Sequence, residues 1–95
     1  MIKEREVAMV NAASMALEYK EKHPRCWDDD AVAHVLKNLN TSSELKIYGI
    51  AAANEILKLR SSPGFQGFST KQLLQQFVDN IYAFIAKMDS GSFNK

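Results

Sequence analysis

His23, Cys26, Asp30 and His34 come nearest, in type and spacing, to a chemical site in this 95-residue chain. Zinc asks for three or four such ligands at tetrahedral angles. Asp30 and His34 stand one helical turn apart, so both can point the same way. His23 and Cys26 come from the connector just before them. The cysteine and histidine pairs that build structural zinc sites are missing, however. The stretch HPRCWDDD, residues 23–30, is also fully accounted for as a corner. Pro24 pushes the residue before it out of the helical region and ends a helix. Asp28 is a good N-cap for the next one, and Trp27 and Val32 have the spacing of a hydrophobic staple around it. Asp29 and Asp30 suit the positive end of the helix dipole. The corner is the reading adopted, and no metal or other cofactor is expected.

Cys26 is also the one candidate nucleophile of this stretch. A reactive thiol needs a base and surroundings that favour the thiolate. A helix N-terminus two residues on would help, but three neighbouring aspartates oppose the negative charge. No Asn or Asp is placed by a recognisable signature to orient His23 or His34. Catalysis is not expected. As the only cysteine, Cys26 cannot form an internal disulfide, which fits a cytoplasmic setting.

A different chemistry, phosphate binding, is suggested by residues 32–50. A short helix, a polar turn and a longer helix outline a helix-turn-helix. Asn40, Thr41, Ser43, Lys46 and Tyr48 would face the nucleic acid. Twelve Lys+Arg against eleven Asp+Glu leave a net charge of only +1, so no global field steers the chain onto a polyanion or an anionic membrane. The turn also lacks glycine and looks longer than the usual three or four residues. The would-be reading helix carries IAAANEIL, a composition suited to burial. Nucleic-acid binding is therefore the alternative function. Lys58, Arg60 and Lys71 form a second small cationic set, whose commoner use is to complement a helix C-terminus.

These residues must be held by helices. The pattern predicts an all-α, compact four-helix bundle with helices at about 3–22, 29–38, 42–60 and 70–88, and no alternating strand pattern is present. The first helix is rich in Ala, Met, Glu and Lys and lacks Gly and Pro. The second buries Val32, Val35, Leu36 and Leu39. The third begins at TSSE, residues 41–44, which matches a capping box, and it is apolar around much of its circumference. The loop SSPGFQGFS, residues 61–69, breaks the pattern. Ser69 and Gln72 then make a second capping box, with Phe68 and Leu73 as its staple. Ala8, Ala12 and Ala16 on the first helix, and Gly49 and Ala53 on the third, recur every fourth residue. They predict close packing of those two helices. The chain is expected to be one domain over 1–95, with a frayed tail from about residue 89. The opening residues carry charges of both signs and no apolar run, so neither a signal peptide nor a membrane span is expected.

The fourth helix carries an a/d seam: Leu74, Phe77, Ile81, Phe84 and Met88 step by three and four residues. A 95-residue chain has a thin core, and association often supplements one. The expected function is thus a small helical protein–protein interaction module without catalytic activity, a homodimer or the partner of another protein. Its interface would be Phe77, Ile81, Phe84 and Met88, with Phe65 and Tyr82 at the rim.

Overall fold

Long runs of good helix formers become helices, and near the ends of three of them side chains reach back to the carbonyl four residues earlier. The computed structural model describes residues 4–89. Residues 1–3 and 90–95, which carry the expected helix start and most of the expected frayed tail, lie outside the described residues. Among the described residues five α-helices follow in order: α1 (Glu4–Lys22), α2 (Asp28–Asn38), α3 (Ser43–Ser61), α4 (Thr70–Asp79) and α5 (Ile81–Asp89). A single 3-10 turn, Pro63–Phe65, sits in the α3–α4 connection, and there is no strand among the described residues. The all-α reading holds, with five helices in place of four.

The fifth arises because the expected helix over 70–88 is interrupted at Asn80. The amide of Asn80 donates to Gln76 O at 2.9 Å. Its own backbone N–H then turns to Phe77 O at 3.1 Å. A short side chain has replaced a rung of the helical ladder. Asn38, the last residue of α2, makes the same side-chain bond, donating to His34 O at 2.8 Å, while Leu39 N keeps its bond to Val35 O. At the end of α3, Ser61 and Ser62 donate to Leu57 O and Lys58 O at 3.1 and 3.0 Å. Each bond gives a carbonyl in the last turns of a helix a side-chain donor.

Helices α1 and α3 form the central pair. Ala8, Ala12 and Ala16 are buried, as are Gly49 and Ala53. A Cβ placed on Gly49 would lie 3.3 Å from Ala12 Cβ, 3.7 Å from Ala8 O and 2.5 Å from Leu39 Cδ2. The glycine is therefore a matter of space, which α1 and the end of α2 have filled. Around this contact the core gathers Met9, Leu17, Val35, Leu39, Ile56 and Leu57. Leu73, Phe77, Ile81, Phe84 and Ile85 close it from α4 and α5.

Two helix starts differ from expectation. Helix α2 begins at Asp28 itself, with Trp27 at the N-cap position. Trp27 is 80% exposed, so the expected staple with Val32 is not made. Asp30 supplies the local bond instead, accepting from Trp27 N at 3.0 Å. Leu36, expected in the buried stripe, is exposed, and Ala31 is buried. At α3 the cap is Ser42, whose hydroxyl accepts from Leu45 N at 3.3 Å. That shifts the cap one residue beyond Thr41 and leaves Glu44 outside a capping box. The expected box at α4 is present: Ser69 and Gln72 exchange bonds of 2.8 and 3.2 Å.

Candidate functional site

The corner at residues 23–30 is held by a lysine that the sequence reading did not single out. Lys20, near the end of α1, is buried. Its ammonium donates to Cys26 O at 2.8 Å and pairs with Asp28 at 3.1 Å. The lysine stem fills the apolar interior while its head ties the connector back onto α1. Tyr19 completes the corner: its ring packs against the imidazoles of both His23 and His34, each centroid 4.6 Å away. His34 meets Asn38 at 3.2 Å, and the carboxylate of Asp30 is engaged with Trp27 N. Asp30 and His34, which could have pointed the same way, are thus each engaged elsewhere. Cys26 makes no side-chain hydrogen bond among the described residues, and no three His, Cys, Asp or Glu side chains among them gather as metal ligands.

Replacing Lys20 with Met keeps the stem and removes the donor. The expected loss is about 1–3 kcal/mol, because the Cys26 carbonyl and Asp28 are left without their partner. Asp28→Asn is expected to cost less than about 1 kcal/mol, since the Asp28 side chain is 52% exposed against 9% for Lys20 and solvent screens the pair. Urea unfolding of both variants measures the difference.

The residues expected to form an interface on the fourth helix divide. Phe77, Ile81 and Phe84 are buried within the chain, with the Phe77 and Phe84 rings edge-on at 6.0 Å. The seam continues past the break at Asn80 and faces the core. Phe65 and Met88 are half-buried, and Phe65 packs edge-on against Phe68 at 5.2 Å. Tyr82 is exposed. Glu6 of α1 lies close enough to its hydroxyl to hold the phenol above its ordinary pKa.

The five residues of the nucleic-acid alternative do not share one surface. Asn40 and Thr41 border a hollow completed by Glu4, Val7, Ala8 and Asn11 of α1. Tyr48 turns to a different place. Its hydroxyl donates to Asp89 at 3.3 Å, and the guanidinium of Arg5 lies 5.1 Å from its ring centre. Arg5 also pairs with Asp89 at 3.2 Å. Tyr48, ahead of the Asp89 charge, holds the Arg5 guanidinium above its ordinary pKa, so it remains a cation. This trio ties α1, α3 and α5 together. The cationic set is also divided, with Lys58 lining one hollow and Arg60 another.

Beside α3 and the end of α5 lies an open groove of about 620 Å³. Its apolar lining is Ile47, Tyr48, Ile50, Ala51 and Met88, and Glu44, Asn54, Glu55 and Lys58 supply its polar part. Ile47 is 66% exposed. Of the expected site residues only Met88 and Tyr48 reach this groove. The signal that could have found it lies in α3: its apolar residues exceed what one buried face can use, and Gly49, Ala52, Ala53, Ile56 and Leu57 take the inner face. No helix among the described residues is long and apolar enough to cross a membrane. No protein-family model matches the chain, and no curated protein or solved structure matches it.

Proposed function

We propose that the chain is a small helical protein-binding module without catalytic activity of its own, and that it binds through the groove on α3. The observation that carries this reading is the groove's apolar lining, open to solvent, with Ile47 standing two-thirds exposed on it. Single exposed apolar residues are ordinary; here Ile47 shares one hollow with the half-buried Tyr48, Ile50, Ala51 and Met88, and Glu44, Glu55 and Lys58 add charge around it, the apolar-centre, polar-rim layout of a protein contact on a small scale. The phenylalanines of α4 and α5 then serve the fold, and α3 serves the partner.

The test places a photo-reactive amino acid at position 47 in living cells of the source organism, with position 71 on α4 as control. The expected result is one adduct of fixed mass, formed from position 47 alone and lost when Ile50→Asp is added. Position 47 yielding nothing beyond position 71 overturns the reading.

A further inference from the structure

We infer that the occupant of this groove is a second copy of the same chain, docked α3 against α3, antiparallel, about a two-fold axis at Ala51. The inference rests on the groove reading and specifies its partner. Glu44, Ile47, Ala51, Asn54 and Lys58 all line the groove, and they follow one another by three, four, three and four residues. That is the spacing of an a/d seam, the pattern by which one helix packs along another. The chain's own core uses a different stripe of α3, namely Gly49, Ala52, Ala53, Ile56 and Leu57. The outer stripe touches the core only at its middle, where Ala51 is half-buried, and Glu44, Ile47, Asn54 and Lys58 on either side of it are exposed.

Charge selects the partner. The outer stripe ends in Glu44 at one end and Lys58 at the other. The two lie about 21 Å apart along the helix at 1.5 Å per residue. Neither makes an ion pair among the described residues. Both stand seven residues from Ala51. In an antiparallel pair centred on Ala51, Glu44 of each copy therefore faces Lys58 of the other, and two equivalent ion pairs form. A parallel pair would set Glu44 against Glu44 and Lys58 against Lys58. A two-fold contact needs such a self-complementary surface, and α3 has one. The small side chain at the axis lets the helices approach. Ile50 then meets its counterpart near the axis, and the exposed Ile47 lies over the partner's hollow beside Glu55 and Met88. One helix face per copy is a modest area, so the dimer forms and dissociates with concentration.

Sedimentation equilibrium over a hundredfold concentration range reads the association directly. The wild-type mass is expected to rise from 10.7 kDa towards twice that value. Ile47→Asp should stay monomeric throughout with an unchanged helical circular-dichroism spectrum. Glu44→Lys and Lys58→Glu should each weaken the dimer by about tenfold, since each turns two attractive pairs into repulsive ones. The double variant should recover to within about threefold of wild type, because both pairs re-form with their signs exchanged. A wild-type chain monomeric at every concentration overturns the inference, as does a dimer indifferent to Ile47→Asp or a double variant no tighter than the single ones. The groove reading fails separately, on position 47 giving no adduct in cells. An adduct of any mass but twice the chain leaves that reading standing and overturns this one.

Discussion

Phe84→Asp is expected to leave the chain unfolded. Phe84 is 8% exposed and packs edge-on against Phe77. Removing a buried phenylalanine costs about 3–5 kcal/mol. Placing a carboxylate in the same largely apolar space adds more, because the charge must give up much of its hydration. Small domains have about 5–15 kcal/mol of stability in total, so the sum exhausts a domain at the lower end of that range. Far-UV circular dichroism should show the helical signal lost at room temperature. Phe84→Leu is the control: it keeps an apolar side chain of similar reach and should fold with a loss of about 1–2 kcal/mol. A Phe84→Asp chain of full helicity would mean that this face is not core, and that α5 is free to serve as the interface its heptad pattern suggests.

The second large effect is at the crossing of α1 and α3. Gly49→Leu should destabilise the chain by about 3 kcal/mol or more, since the side chain must enter space already held by Ala12 and Leu39 and the core has no slack to receive it. Gly49→Ala is the informative comparison. Alanine gains about 1 kcal/mol of helix propensity over glycine. Its methyl group would press Leu39 Cδ2 at 2.5 Å, the movable end of a flexible side chain, and Ala12 Cβ at 3.3 Å. The two effects oppose, and the net change should stay within about 1 kcal/mol. Urea midpoints of the two variants should therefore lie far apart. If Gly49→Leu unfolded at the wild-type midpoint, α1 and α3 would not touch at Gly49.

Where the sequence was legible, one local rule decided the outcome. Ser69 and Gln72 mark the start of α4 because a capping box needs only those two residues. Ala8, Ala12, Gly49 and Ala53 identify the α1–α3 contact because small side chains at helical spacing have few other uses. Other features depended on competition between neighbours. Asn80 lies inside an unbroken heptad pattern with neither Pro nor Gly, and it interrupts the helix through a side-chain bond that composition does not reveal. At the start of α2, Asp28 could cap the helix or pair with Lys20. The buried ammonium takes Asp28, and the helix begins one residue earlier than the cap rule implies. The groove was hidden by abundance. With Leu45, Ile47, Ile50, Ala51, Ile56 and Leu57 distributed around α3, hydrophobicity marks no single face as outer. Only the small-residue stripe, once fixed against α1, leaves Ile47 pointing to solvent.

The exposure of Trp27 has a spectroscopic consequence. It is the only tryptophan in the chain, and it stands at the start of α2, away from the core of Met9, Ile56 and Phe77. Its indole emits from water in the folded protein much as it would from an unfolded chain. Tryptophan emission is thus nearly blind to melting of the helices but responsive to anything that settles on the corner between α1 and α2. The same fluorophore that fails as a thermometer of the fold is a built-in reporter for that one exposed turn.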